Sequence, residues 1–177
     1  PLQFFADRVD GILLAAHQEI QKLALLYPAG ELRQEQVEAA VLNVARYDVF
    51  KLSDAVLGGQ VQRVQRMLDG LQAEGEAEVL VHWALAEDIR ALKRVTDALR
   101  AGRPMPVALR ENRIWGPKER HFERIAPRVS PAAVARLLRS AHTVDGIVKG
   151  LKVPDWPADG WQALQRLGMQ FSRVCRG

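Results

Sequence analysis

The stretch AEVLVHWALAEDIRALKRVTDALR, residues 77–100, predicts the longest helix of the chain, and the rest of the fold can be worked out around it. Its apolar residues recur every three or four positions, which places them on one face of a helix: Val81, Leu85, Ile89, Leu92, Val95 and Leu99. The first half, VLVHWALA, is apolar nearly all round, as is typical of a central, buried helix. We therefore expect a helical core built on this segment, in which His82 is buried and its imidazole is hydrogen-bonded.

Helical periodicity continues on both sides, and no stretch alternates apolar and polar residues as a half-exposed strand would. Upstream, a helix is expected from Gln60 to Leu71. Downstream, short helices are expected within 107–130. Ser130-Pro131 then begins a helix that runs to about Lys149, because serine is a good N-cap and proline is favoured at the first helical position. A last helix is expected within residues 159–175, and the predicted fold class is all-α.

The first 48 residues predict a separate, smaller helical unit. The stretch GILLAAHQEIQKLALLYPAGE, residues 11–31, holds acid-base side chains, but its apolar residues share one helix face, so we interpret it as packing. A further short helix is expected at 33–44. The pattern restarts near Arg46 to Asp48, where the charge balance also changes sign. We therefore predict a small helical bundle at 1–48 and a larger helical domain at 49–177.

The net charge of +4 is unevenly distributed. Residues 1–48 carry −3, whereas the window 90–128 holds eleven basic and four acidic residues, a balance of +7. This window has three interpretations: a solvated face, a contact with another subunit, or a surface that binds DNA phosphates. The candidate contact residues are Arg90, Arg94, Arg110, Arg113, Lys118 and Arg120, together with Lys149, Lys152 and Trp156. Lys149 also follows Asp145 by four residues, which predicts a helical ion pair.

The usual sequence signatures of catalysis are absent. There is no phosphate-binding glycine loop, no Gly-x-Ser-x-Gly, no His-Glu-x-x-His and no pair of cysteines, and the four histidines are scattered. We therefore predict no catalytic residue, no metal ligand and no cofactor. Cys175 is interpreted as a buried thiol, and Trp83, Trp115 and Trp161 as core anchors, with an interface hot spot as the alternative for one of them on a rim. No run of about 18 apolar residues predicts a membrane span, so a cytoplasmic protein is expected.

Four segments in register cover almost the whole chain and together carry a resemblance. They are DGILLAAHQEIQKLALLYPAGEL at 10–32, VARYDVFKLSDAVLGG at 44–59, EVLVHWALAEDIRALKRV at 78–95 leading to RIWGPKERHFERI at 113–125, and HTVDGIVKGL at 142–151 followed by WQALQRLGMQF at 161–171. These segments resemble the delta subunit of the bacterial DNA polymerase III clamp loader.

The resemblance implies the end of an AAA+ lid at 1–48 and a complete helical collar at 49–177. It implies a non-catalytic subunit of a DNA-directed DNA polymerase holoenzyme, acting in DNA replication. The collar is expected to bind the clamp-loader ATPase subunits and delta-prime, and primed DNA in the assembled complex. Contact with the sliding clamp is expected through an N-terminal domain that this chain lacks. The alternative is a free-standing helical nucleic-acid-binding protein.

Overall fold

The computed structural model describes residues 49–177 together with Gln21, and within them every regular element is a helix. The seven helices are α1 at 49–57, α2 at Val61–Ala73, α3 at Glu78–Arg100, α4 at Met105–Glu111, α5 at Pro117–Ile125, α6 at Pro131–Val148 and α7 at Gly160–Arg176. The predicted all-α fold class is confirmed. The helices predicted within 1–48 lie outside the described residues, and the boundary at residue 48 stays a prediction.

Helices α3 and α7 form the centre of the domain. Helix α3 packs against α4, α6 and α7, and α7 packs also against α2 and α6. The predicted stripe of α3 is buried at Val81, Leu85, Ile89, Leu92 and Val95. Because each fully buried aliphatic side chain contributes about 1.5–3 kcal/mol, this stripe is a large part of what holds the helices together.

Side-chain caps begin the two C-terminal helices. The Ser130 hydroxyl accepts a hydrogen bond of 3.1 Å from the backbone N–H of Ala133, which confirms the predicted start of α6. The Asp159 carboxylate accepts one of 2.9 Å from the N–H of Gln162 at the start of α7. Each cap satisfies a backbone donor that has no partner within the helix.

The ends of α1 and α7 meet, and α5 ties them together. Gly59 has a φ of 67°, and a Cβ there would lie 2.7 Å from the Cα of Arg176, so only glycine fits this turn. The Arg124 guanidinium donates to the carbonyls of Leu57 at 2.6 Å and Cys175 at 2.7 Å. A cation beside two helix C-termini complements the partial negative charge of both.

Two buried polar side chains lie on α3. His82 Nε2 lies 2.8 Å from the carbonyl oxygen of Ala141 on α6, which confirms the prediction of a satisfied core histidine. Asp88 accepts hydrogen bonds from the Ser53 hydroxyl and, at 2.7 Å, from the Lys118 ammonium. Because Ser53 lies on α1 and Lys118 on α5, Asp88 joins three helices.

Of the three tryptophans predicted as core anchors, only Trp161 is buried. Trp83 is 49 % exposed and Trp115 is 65 % exposed, so the prediction is wrong for both. At about 100° per residue, Trp83 lies roughly opposite Val81, on the side of α3 away from the buried stripe. Val79, one turn earlier, is exposed on the same side, so the first half of α3 is not buried all round.

Candidate functional site

A cleft with two exposed aromatic side chains lies where α1 approaches the turn between α4 and α5. We call it the aromatic cleft. Its volume is about 520 Å³, and it is lined by Phe50, Lys51, Asp54, Arg63, Arg113, Trp115, Pro117 and Lys118. Phe50 is 58 % exposed and Trp115 is 65 % exposed. Large aromatic side chains that are exposed to solvent and clustered at one site are typical of a binding surface.

The local backbone holds Trp115 outward. Ile114 is buried under the turn between α4 and α5, whereas Arg113 and Trp115 on either side of it are exposed. Arg113 has a φ of 56°, and Gly116 has a φ of 67° directly before Pro117 begins α5. The turn is therefore fixed by a buried isoleucine and a left-handed glycine, and the indole has no core position to occupy.

The charges in the aromatic cleft are only partly neutralised. Lys118 Nζ pairs with buried Asp88 and lies 5.8 Å from the Phe50 ring centroid. Arg63 lies 3.7 Å from the Asp54 carboxylate. The guanidinium of Arg113 has no hydrogen-bonding or ionic partner among residues 49–177. An unpaired guanidinium beside exposed rings can hold a phosphate while the rings stack on bases, or can anchor a protein partner.

The structure separates the predicted contact residues into groups. Arg113 and Lys118 line the aromatic cleft. Arg90 and Arg94 lie on α3 and both bind Glu87 at 3.2 Å. Arg110 and Arg120 lie outside the cleft and have no ionic partner among the described residues. Lys149 pairs with Asp145 at 2.8 Å. Lys152 and Trp156 lie in the loop between α6 and α7. The Lys149 ion pair was predicted and is confirmed.

Sequence reasoning missed Phe50 as a site residue. A signal was present, because Val49, Leu52, Ala55 and Val56 define the buried face of α1 and Phe50 does not belong to it. A large aromatic residue off the apolar stripe of a short helix is a candidate for an exposed contact.

The described residues offer no group of three or more His, Cys, Asp or Glu that could hold a metal ion. Burial raises the pKa of the Cys175 thiol to about 12, which confirms the prediction of a buried cysteine and leaves it almost wholly protonated at neutral pH. The pKa of Glu78 is raised by partial burial and then by the nearby charge of Asp159. Among the described helices, none combines the length and apolar character that crossing a bilayer requires.

Comparison with known proteins finds similarity to two subunits of DNA polymerase III. No protein-family model matches it. The chain is 31 % identical over 106 residues to DNA polymerase III subunit delta of Escherichia coli, covering 60 % of this chain and 31 % of that protein. It is 36 % identical over 84 residues to DNA polymerase III subunit delta of Haemophilus influenzae, covering 48 % and 24 %.

The described part of the chain is all helical, and the chain is a relative of DNA polymerase III subunits. More narrowly, the chain is a delta-like relative, since both proteins bear that name. The matched regions span about a third or less of the length of these curated relatives.

Proposed function

We propose that the chain is the lid-and-collar part of a delta-like, non-catalytic clamp-loader subunit that assembles with other loader subunits during DNA replication. The observation that carries the proposal is its similarity to two delta subunits. The all-helical domain at 49–177 is the proposed collar, and its partners are the ATPase subunits and delta-prime. The sliding clamp is a partner of the assembled loader. The proposed location is the cytoplasmic replisome.

Exposed aromatic side chains support a role in assembly. Trp83 and Val79 form an apolar strip on α3, and Phe50 and Trp115 form a second exposed pair in the aromatic cleft. Tryptophans and other large apolar side chains that fill a pocket on a partner supply much of the binding energy of protein interfaces. The domain therefore presents more than one surface suited to a neighbouring subunit.

Size-exclusion chromatography tests the assembly directly. The chain is mixed with the ATPase subunits and delta-prime of the same bacterium, without nucleotide or DNA. Coelution with these subunits is the expected result, because packing between collars needs no ATP. Elution of the chain alone, at concentrations where the partners associate with each other, overturns the proposal.

We further propose that the aromatic cleft contacts primed DNA in the assembled loader. Trp115 and Phe50 are exposed enough to stack on bases, and Arg113 is available to a phosphate. Because stacking on an aromatic side chain is worth about 1–3 kcal/mol per base, Trp115→Ala should weaken DNA binding by the complex about tenfold. Leu151→Ala is the control, since Leu151 is a large exposed apolar side chain that lies outside the cleft. Loss of assembly without loss of DNA affinity would make the cleft a subunit contact.

The second candidate is a free-standing nucleic-acid-binding protein. It is favoured by Arg110, Arg113 and Arg120, which have no carboxylate partner among residues 49–177. It predicts that the isolated chain binds DNA at about micromolar concentration, with an affinity that falls steeply as salt rises. The clamp-loader proposal expects DNA binding by the complex and little by the isolated chain, so the same titration separates the two.

A further inference from the structure

A second concave surface, between α6 and α7, carries three arginines that no carboxylate of residues 49–177 neutralises. We call it the α6–α7 groove. Its volume is about 390 Å³, and its rim includes Arg136 and Arg139 from α6 and Arg173 from α7. All three side chains are exposed, none of them has a hydrogen-bonding or ionic partner among residues 49–177, and no Asp or Glu of those residues lines the groove. The field in the groove is therefore positive.

The floor of the groove is largely apolar. Leu137 on α6 is almost fully buried, Val174 on α7 is partly buried, and the half-buried ring of Trp156 lies in the groove wall. An apolar floor under a charged rim fits a ligand that has apolar side chains on one side and negative charge beside them.

The geometry favours a peptide over a nucleic acid. Among the described residues, Trp156 is the one aromatic side chain that lines the groove, and the Arg166 guanidinium lies over its ring at 4.1 Å from the centroid. One face of the only stacking platform is therefore occupied. Single-stranded nucleic acids are held by successive bases on several open aromatic faces, which this groove does not offer.

The spacing of the arginines matches carboxylates on a helix. Arg136 and Arg139 are three residues apart, so their side chains lie one turn apart on the same side of α6, and Arg173 faces them from α7. Guanidinium groups bind carboxylates through paired hydrogen bonds. We propose that the α6–α7 groove binds an acidic amphipathic peptide segment of a partner protein. The proposal does not depend on membership of a clamp loader.

Fluorescence anisotropy with three labelled probes tests the proposal on the full chain. The first probe is a peptide of about 12 residues in which leucines lie on one helix face and glutamates flank them. The second is a scrambled peptide of the same composition, and the third is a thymidine oligonucleotide of similar length. The amphipathic peptide should bind at least about tenfold more tightly than the other two, and its affinity should fall as salt rises.

Charge reversal locates the binding. The triple variant Arg136→Glu, Arg139→Glu and Arg173→Glu should weaken binding of the amphipathic peptide by more than about tenfold. The matched control reverses Arg90, Arg94 and Arg103, which makes the same change in net charge at arginines that already pair with carboxylates, and should change binding less than about threefold. Circular dichroism checks that both variants stay folded.

Four results would overturn the proposal: no binding of the amphipathic peptide, equal binding of the scrambled peptide, tighter binding of the oligonucleotide, or equal loss in the control variant. None of them bears on whether the chain assembles with loader subunits. Failure of this proposal and failure of the proposed function are thus distinguishable.

Discussion

Two arginine-rich regions of this domain differ in what surrounds their charges. The first, which we call the paired band, consists of Arg90, Lys93, Arg94, Arg100 and Arg103, whose partners are Glu87, Asp97 and Glu111. The second is the α6–α7 groove, where Arg136, Arg139 and Arg173 have no carboxylate partner among the described residues. The paired band holds five of the eleven basic residues of the window 90–128, and Arg110, Arg113 and Arg120 of that window have no carboxylate partner among residues 49–177. In the groove, which lies outside the window, none of the three arginines has one.

The comparison teaches that local net charge and local electrostatic potential are different quantities. Glu87 and Asp88 lie just before the window that begins at residue 90, yet they bind Arg90, Arg94 and Lys118 within it. Arg136 and Arg173, in contrast, are far apart along the chain and meet only because α6 packs on α7. A sequence window counts charges along the chain, whereas a ligand responds to charges that share a surface.

The largest expected effect comes from the buried carboxylate beside the paired band. Asp88→Ala should lower the free energy of unfolding by about 3 kcal/mol, because Lys118 loses its buried partner and the Ser53 hydroxyl loses its acceptor. Urea unfolding measures the change. Asp97→Ala on the same helix is the control and should cost less than about 1 kcal/mol, since its ion pairs are exposed. Equal losses would contradict a structural role specific to Asp88.

The next largest loss of stability is expected at Arg124, an arginine of the basic window whose guanidinium donates hydrogen bonds to two backbone carbonyls. Arg124→Ala should cost about 2 kcal/mol, because the carbonyls of Leu57 and Cys175 both lose a charged donor. Arg124→Lys should recover only part of this, since an ammonium lacks the planar fork that reaches both oxygens. Arg128→Ala, which removes one exposed hydrogen bond, is the control for urea unfolding. A loss at Arg128 as large as that at Arg124 would refute the assignment.

Two double variants compare the arginine regions directly, and we expect smaller and unequal changes in the free energy of unfolding. The double variant Arg90→Ala and Arg94→Ala should lose about 0.5 kcal/mol of stability at low salt, because both side chains pair with Glu87. The double variant Arg136→Ala and Arg139→Ala should be neutral or slightly stabilising, because it removes like charges one turn apart. Urea unfolding at low and high salt measures both. A clear loss at the groove would show that its arginines have stabilising partners.

The smallest effect is at the exposed ion pair of α6. Lys149→Ala should cost about 0.3–0.5 kcal/mol, as is usual for a helical pair four residues apart. The hydrogen bond from Lys149, followed by the charges of Lys149, His82 and His142, holds the pKa of Asp145 below its ordinary value.

The sign of the pH dependence follows from that lowered pKa. The ionised Asp145 stabilises the native state above the ordinary pKa of an aspartate, about 3.9, and this contribution is lost as the pH falls through the lower native value. Asp145→Asn should therefore lower the free energy of unfolding at neutral pH by about 0.3–0.5 kcal/mol and leave it unchanged below the native pKa of Asp145, so that the acid limb of the stability profile flattens. An unaltered acid limb would contradict the assignment.

The fold was largely predictable because its determinants are local. The stripe on α3, the cap at Ser130 and the pairing of Lys149 with Asp145 depend on residues within a few turns of each other. The burial of His82 was also predictable, since its neighbours in sequence are apolar.

The candidate sites were less predictable because they depend on contacts between distant segments. Asp88 and Lys118 are separated by 30 positions, and the aromatic cleft brings together Phe50 on α1 and Trp115 in the turn between α4 and α5. Composition did not indicate that Trp115 would stay exposed, since tryptophan is highly buried on average in folded proteins. The structure shows that Ile114, rather than Trp115, fills the core at this turn.

Native mass spectrometry of the chain mixed with the clamp-loader ATPase subunits and delta-prime, without nucleotide or DNA, tests the central claim most directly. The account predicts one defined complex that contains a single copy of this chain, because a collar occupies one place in the loader. A chain that remains free while its partners associate, or that pairs only with its own copies, would contradict the account.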